Sequence, residues 1–147
     1  MTASIIIIVL STLLFLYWFR YTCQLILSAR TSQDFAADIA RENELGFLHV
    51  QDTIGAAQKD QLDELQRSLA RDYQVVSALL ARNGMNSGEM GIEQTILRID
   101  FLGMRALFEV ARRVHVTAAK RALAEMCQVV AYMANTVGEQ ANGTAAA

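Results

Sequence analysis

Residue types that commonly do chemistry are few in this sequence, and they stand far apart along it. His49 and His115 are the two histidines, and neither belongs to a Glu-x-x-His, His-x-x-His or Cys-x-x-Cys-His pattern that would ligate a metal ion or a haem. A bis-histidine haem would require a bundle to bring these two side chains together. Because no spacing favours that arrangement, we predict surface or helix-end histidines, with no metal and no cofactor.

Nucleophilic and phosphate-binding patterns are also absent from the sequence. Cys23 and Cys127 are too few for a disulfide framework and predict two reduced thiols. Cys127 has no identifiable base beside it, and no serine stands in a nucleophile-elbow context. The glycine-rich segment 84–91 lacks the Gly-Lys-Ser/Thr ending of a phosphate loop and predicts a connector. We therefore predict a protein that is not an enzyme and has no catalytic residues.

One pattern of charge indicates a possible binding surface. Arg98, Arg105 and Arg112 are spaced by seven, and Arg113 follows directly, so a helix would hold them close to one face, with a drift of about 20° per heptad. Such a basic stripe suits anionic lipid headgroups or an acidic protein partner. The alternative is a solvated face, because Glu109 lies four residues from both Arg105 and Arg113 and can pair with either.

The elements that position these residues are predicted to be helices. The 147 residues include no proline, and good helix formers such as alanine, leucine, glutamine, glutamate and arginine are abundant. The apolar residues of 35–54 also recur at helical spacing, in one helix that either breaks near Gly46 or continues the membrane helix. We predict an all-α body over 31–138, in which three or four antiparallel helices form an up-and-down bundle.

Three longer helices are predicted within this body. The first has a coiled-coil-like apolar seam over 60–82 and ends at a loop over 83–88; the seam residues are Leu62, Leu65, Leu69, Tyr73, Val76, Leu79 and Leu80. The second covers 91–114 and is expected to turn one face to the core: Ile92, Ile96, Ile99, Gly103, Leu107, Val110 and Val114. A glycine at 103 costs about 1 kcal/mol in a helix, which predicts close approach of a neighbouring helix there.

The last helix is predicted from a cap at Thr117 to a stop at Gly138. Its apolar stripe consists of Leu123, Met126, Val130, Met133 and Val137. Residues 139–147 have no apolar periodicity, so we predict a disordered tail.

Residues 1–30 are predicted to form a transmembrane anchor with a juxtamembrane segment. The stretch from Thr2 to Tyr21 contains no Asp, Glu, Lys or Gln, and its roughly 20 residues suffice to cross a bilayer core as a helix. No basic residue precedes the apolar run and no Ala-x-Ala site follows it, which favours an uncleaved anchor over a signal peptide. The predicted membrane-interface residues are Tyr17, Trp18, Arg20 and Tyr21.

Charge predicts the orientation of the anchor and excludes one class of partner. Arg20, Arg30 and Arg41 all follow the apolar run, so the positive-inside rule places the C-terminal domain in the cytoplasm. From residue 34 onward, 11 Lys and Arg stand against 15 Asp and Glu. A net charge of −4 argues against nucleic-acid binding, which needs a concentrated excess of positive charge.

Two functional hypotheses remain. The first is an accessory, assembly or scaffold subunit of a larger membrane protein complex, favoured by the lack of catalytic motifs and by six methionines and many alanines. The alternative is a self-associating, membrane-anchored sensor or scaffold that binds a ligand or a lipid surface and pairs through its 60–82 seam. The first predicts a stoichiometric foreign partner, and the second predicts a homo-oligomer.

Overall fold

The computed structural model of the chain describes residues 2–28, 34–83 and 90–145, and these ranges contain six α-helices and no strand. Contacts divide the chain into two units, residues 1–30 and residues 31–147. The predicted all-α class, with one long apolar N-terminal helix and a helical bundle, is confirmed. The helices are α1 (Thr2–Ser28), α2 (Ala36–Glu42), α3 (Phe47–Thr53), α4 (Lys59–Asn83), α5 (Met90–Val114) and α6 (Val116–Ala145).

Helix α1 makes up the whole described part of the first unit. Its 27 residues correspond to a length of about 40 Å, and it is long and apolar enough to span a membrane, a property that signal sequences share. Two of its hydroxyl groups are satisfied within the helix, since Thr12 Oγ1 donates to Ile8 O at 2.8 Å and Thr22 Oγ1 donates to Trp18 O at 2.9 Å. Internal satisfaction of polar groups is what an apolar surrounding requires.

The core of the second unit lies between α4, α5 and α6. Helix α6 packs against both of the others, and the Tyr73 ring of α4 stacks on Phe101 of α5 with centroids 3.9 Å apart. The predicted α4 seam faces this core through Leu62, Leu65, Leu69, Val76 and Leu80, all of which are buried. The predicted α6 stripe is also confirmed as core, with Leu123, Met126, Val130, Met133 and Val137 buried.

The predicted break near Gly46 separates α2 from α3. Glu44 adopts a left-handed conformation with φ of 53°, which turns the chain before α3 begins. Asp72 of α4 then caps α3 from outside, because its Oδ2 accepts the Gly46 N–H at 2.7 Å. A carboxylate at a helix N-terminus satisfies otherwise unpaired donors and complements the helix dipole.

Both predicted boundaries of the last helix are wrong. Helix α6 begins at Val116, so Thr117 lies inside its first turn, and only His115 separates α5 from α6. Helix α6 also passes Gly138 and continues to Ala145, so the predicted disordered tail 139–147 is helical through Ala145, and residues 146–147 lie outside the described part. The glycine serves packing instead: a Cβ at 138 would collide with Cβ of Phe35.

The predicted loop over 83–88 falls almost wholly outside the described residues. Asn83 is the last residue of α4, and the description resumes with α5 at Met90.

Candidate functional site

Helix α5 has two apolar faces. The bundle buries the face that was not predicted to enter the core. Leu97, Phe101 and Phe108 are each about 1% exposed and contribute to the core. The face predicted as core points away from it: Ile92 is 75% exposed, Val110 is 65% exposed and Val114 is 81% exposed. The prediction was therefore wrong about which stripe of α5 enters the core.

We call this exposed stripe the α5 outer face, and it consists of Ile92, Ile96, Ile99, Gly103, Leu107, Val110 and Val114. Ile99 and Leu107 are about half exposed, and Ile96 is half-buried. Burying one such aliphatic side chain contributes about 1.5–3 kcal/mol, so a contiguous stripe of them is costly to leave in water. Large apolar patches on otherwise soluble domains mark sites of association with proteins or membranes.

Gly103 lies at the centre of the α5 outer face and leaves it open. A Cβ at this position would meet no atom within 4 Å. The helix that was predicted to approach closely at Gly103 is therefore not supplied by the described part of this chain. An approach from outside would compensate for the roughly 1 kcal/mol that a glycine costs within a helix.

The candidate arginines separate into two groups. Arg98, Arg105 and Arg113 are exposed, and within the described residues none of the three has an ion-pair partner. Arg112 is engaged inside the bundle: its Nη1 donates to Asp63 Oδ1 and Oδ2 at 2.9 and 2.8 Å, and its Nε donates to Glu109 Oε2 at 2.8 Å. Glu109 thus pairs with neither Arg105 nor Arg113.

The Arg112–Asp63 ion pair joins α5 to α4, and the Arg112–Glu109 pair lies within α5. Partial desolvation alone would lower the pKa of Arg112, but the charges of Asp63 and Glu109 outweigh it and raise that pKa. The guanidinium therefore stays charged and is occupied by its own bundle. Of the predicted stripe, the exposed Arg113 lies nearest the α5 outer face, about 80° around the helix from Gly103, whereas Arg98 and Arg105 lie about 140° and 160° from Gly103 and point away from that face.

The predicted membrane-interface residues lie in α1. Tyr17, Trp18 and Tyr21 are largely exposed, and the rings of Trp18 and Tyr21 meet edge to face with centroids 6.2 Å apart. Exposed aromatic rings of this kind suit the headgroup level of a bilayer. The assignment of these three residues and Arg20 to an interface stays a prediction.

The Cys127 thiol and the Tyr132 hydroxyl both form hydrogen bonds within the bundle. The Cys127 thiol donates to Phe47 O at 3.1 Å, and burial, followed by the charge of Asp72, raises its pKa to about 12. A thiol with such a pKa is a poor nucleophile near neutral pH. The Tyr132 hydroxyl donates to Glu93, and burial followed by that hydrogen bond raises the pKa of the tyrosine.

Two clefts in the described part of the molecule are small. One cleft of about 240 Å³ lies among Tyr73, Ser77 and Arg98, and another of about 270 Å³ lies among Lys59, Asp63 and Arg112. Both are smaller than most small-molecule sites. The described residues include no group of three or more His, Cys, Asp or Glu that could hold a metal ion, and both histidines are exposed.

Comparison with models of known protein families, with curated proteins and with solved structures returned no match. The functional argument therefore rests on the geometry of this chain. Its most distinctive feature, the α5 outer face, had a signal in the sequence: a second apolar stripe at helical spacing, Leu97, Phe101 and Phe108, runs along the same helix.

Proposed function

We propose that this chain is a non-catalytic, single-pass membrane protein that acts as an accessory, assembly or scaffold subunit of a larger membrane protein complex. In this proposal α1 fixes the protein in the bilayer, and the bundle offers the α5 outer face to a protein partner. The observation that carries the proposal is the exposure of that face, because Ile92, Ile99 and Val110 gain the free energy of burial only on association.

Membrane attachment and orientation are parts of the same proposal. The length and apolar composition of α1 support a membrane span, and the aromatic residues 17, 18 and 21 support an interface at its C-terminal end. Arg20, Arg30 and Arg41 follow the span, which favours a cytoplasmic bundle under the positive-inside rule.

The chemistry of the interior supports a role in binding rather than catalysis. Cys127 is buried with a raised pKa, and Tyr132 is engaged with Glu93, so these side chains stabilise the bundle. The bundle also presents the exposed Arg113 at the edge of the α5 outer face, about 80° around the helix from Gly103. Charged residues around an apolar centre are typical of a protein interface.

The alternative is a self-associating scaffold or sensor, and a surface other than the one first predicted now supports it. Its original pairing surface, the 60–82 seam, forms the core of the bundle and is not available for association. The α5 outer face offers a different surface for the same purpose, and the exposed Arg113 at its edge is compatible with an anionic lipid surface as well.

The experiment that tests the proposal compares three forms of the tagged protein purified from its native membrane in mild detergent. Every co-purifying chain is quantified by mass spectrometry for the wild type, for Ile99→Glu in the α5 outer face and for Gln74→Glu on exposed α4. Both substitutions add one carboxylate at an exposed position, so neither should alter folding by more than about 0.5 kcal/mol.

We expect a stoichiometric foreign subunit with the wild type and with Gln74→Glu, and its loss with Ile99→Glu. Equal recovery of that subunit with all three forms would refute docking through α5. Recovery of the wild type alone, as a defined oligomer, would favour the self-associating alternative.

A further inference from the structure

We propose that the cleft between α4 and α5 beside Arg98 binds a phosphate group. We call it the Arg98 cleft; its volume is about 240 Å³, and the residues that line it include Tyr73, Ser77, Leu80, Gln94, Arg98 and Met133. Arg98 lies about 140° around α5 from Gly103, so the cleft and the α5 outer face are on different sides of the helix. The inference therefore goes beyond the proposed function and is independent of it.

The Arg98 cleft has an apolar floor between two helices that are packed together. Leu80 of α4 and Met133 of α6 line it and are only 2% and 4% exposed. The two walls are held beside the cleft by the stack of Tyr73 of α4 on Phe101 of α5, with centroids 3.9 Å apart. A site whose walls are already ordered loses little conformational freedom when a ligand binds.

Both walls offer hydrogen-bond donors, and the described residues that line the cleft include no carboxylate. The Arg98 guanidinium is exposed and has no ion-pair partner among the described residues. Its five N–H groups form a rigid fork that suits the paired oxygens of a phosphate or a carboxylate. The Gln94 amide, four residues earlier on the same helix, supplies two further donors. This set of donors favours an anionic ligand.

Ser77 adds an unsatisfied polar group on the opposite wall. Its hydroxyl oxygen is buried and has no hydrogen-bond partner among the described residues, although the residue itself is only half-buried. A buried polar atom without a partner costs stability, and such atoms are rare in native proteins. Rotation about χ1 to another staggered position turns the hydroxyl towards the cleft. A bound anion then supplies the acceptor that the chain does not.

The number of donors favours phosphate over carboxylate. A bidentate guanidinium occupies two oxygens of its ligand, and a carboxylate has only two. A phosphate group has a third acceptor oxygen, which accepts the hydrogen bond of Ser77. The volume of the cleft agrees, because a water molecule occupies about 30 Å³ in the liquid. The cleft therefore has room for one phosphate group and a few bridging waters, but not for a drug-sized ligand.

The surroundings of the Arg98 cleft are basic, although residues 34–147 as a whole are acidic. On α4 the acid within 66–83 is Asp72, which is 1% exposed. On α5 the acids within 90–108 are Glu93, which is hydrogen-bonded to α6, and Asp100, which is 2% exposed. An uncompensated positive field raises the local concentration of anions. The exposed arginines of these two stretches are Arg67, Arg71, Arg82, Arg98 and Arg105.

Isothermal titration calorimetry of the full-length protein in a non-ionic detergent tests the inference with inorganic phosphate, at an ionic strength held constant with sodium chloride. We expect saturable binding with one phosphate per chain. Arg98→Gln removes the guanidinium at an exposed position, and it should weaken binding at least about tenfold, because the charge-assisted hydrogen bonds are lost.

Arg105→Gln is the matched control. Arg105 is also exposed and lies on the same side of α5, about 10.5 Å along the helix from Arg98, but it does not line the cleft. Solvent and salt screen a charge at that distance, so we expect Arg105→Gln to weaken phosphate binding by no more than about threefold.

Ser77→Ala separates the role of the hydroxyl in binding from its role in folding. Without phosphate, removal of an unpartnered hydroxyl should leave the unfolding midpoint unchanged or raise it. The variant should nevertheless bind phosphate about three- to tenfold more weakly, because the ligand loses one donor. Circular dichroism during thermal unfolding in phosphate-free buffer measures the first effect, and calorimetry measures the second.

A parallel titration with dihexanoyl phosphatidic acid distinguishes two sources of the phosphate group. Binding that is tighter than that of inorganic phosphate, and that Arg98→Gln also weakens, would assign the cleft to a lipid headgroup. Binding that depends on Arg98 but is no tighter would assign it to a soluble phosphate compound.

The inference is overturned if neither phosphate probe binds saturably. It is also overturned if Arg98→Gln and Arg105→Gln weaken binding equally, which would indicate attraction by the general positive charge. A lower unfolding midpoint of Ser77→Ala without phosphate would contradict it as well, since the hydroxyl would then have a partner within the bundle. These results leave the proposed function untouched, because co-purification with Ile99→Glu tests that function on another side of α5.

Discussion

Replacement of Gly138 by alanine tests why a glycine lies in the middle of α6. An added Cβ would collide with Cβ of Phe35 and lie 2.8 Å from its Cγ and 3.5 Å from Cγ1 of Ile39. Rotation of the Phe35 side chain cannot relieve the clash, because its Cβ is fixed to the backbone. That backbone is held in turn by the Phe35 N–H, which donates to Asn135 Oδ1 at 2.6 Å.

The expected magnitude follows from two opposing effects. Alanine in place of glycine within a helix contributes about 1 kcal/mol of stability, whereas overpacking of a closely packed contact costs about 1–3 kcal/mol. We place Gly138→Ala at the upper end of that cost, since α2 must shift to make room. The variant should therefore be less stable than the wild type by about 2 kcal/mol.

Gly143→Ala is the matched control in the same helix, because its Cβ would meet no atom within 4 Å. It should gain up to about 1 kcal/mol from helix propensity, so the two variants should differ by about 3 kcal/mol.

Urea unfolding of the full-length protein in mild detergent, followed by far-UV circular dichroism, measures the difference between the two variants. Tryptophan fluorescence is unsuitable, since the single tryptophan, Trp18, lies in α1. Equal stability of Gly138→Ala and Gly143→Ala would refute the packing of α2 on α6 at this contact.

Three further predictions concern groups whose environment departs from the ordinary. Burial raises the pKa of Asp72 above 3.8, although the N–H of Gly46 and the charge of Arg71 act in the opposite direction. The folded state therefore binds the Asp72 proton more tightly than the unfolded state does. The stability of the wild type relative to Asp72→Asn should consequently fall as the pH rises from 3.8 through the folded-state pKa. Urea unfolding of both proteins across that range checks the sign, and parallel pH profiles would contradict it. Cys127, with its pKa raised from 9.0 to about 12, should carry about a thousandfold less thiolate than an ordinary cysteine. In a Cys23→Ser background a thiol reagent should therefore modify Cys127 rapidly only after unfolding. Fast modification of the native protein would disprove the burial of this thiol. Arg112→Ala should lower the unfolding midpoint only slightly, because its partly exposed ion pairs to Asp63 and Glu109 are screened by solvent. Arg105→Ala, which removes no ion pair within the described residues, should lower it less, and equal effects would contradict the α4–α5 link.

Much of the fold was predictable because its signals are local. The α4 seam, with Leu62, Leu69 and Val76, has a single apolar stripe, so periodicity alone identifies its buried face. The break near Gly46 and the all-helical class follow from local preferences in the same way. The residue that caps α3, Asp72, lies 26 positions away in sequence, and no local pattern indicates such a partner.

The face of α5 was not predictable because two stripes compete for the core. Ile99 and Val110 belong to one stripe, and Phe101 and Phe108 belong to the other. Periodicity finds apolar faces, but only the packing of α4 and α6 decides which of them is buried. Gly138 was misinterpreted for a related reason: its role depends on Phe35, about a hundred residues earlier in the chain.

The central claim is that the α5 outer face is covered by protein in the native membrane. A photo-reactive amino acid placed at Ile99, with the same group at exposed Gln74 of α4 as the control, tests it directly when adducts from irradiated membranes are identified by mass spectrometry. The account predicts adducts at Ile99 with a second copy of the chain or with another subunit, and few at Gln74. Lipid adducts alone at Ile99, or equal protein adducts at both positions, would contradict it.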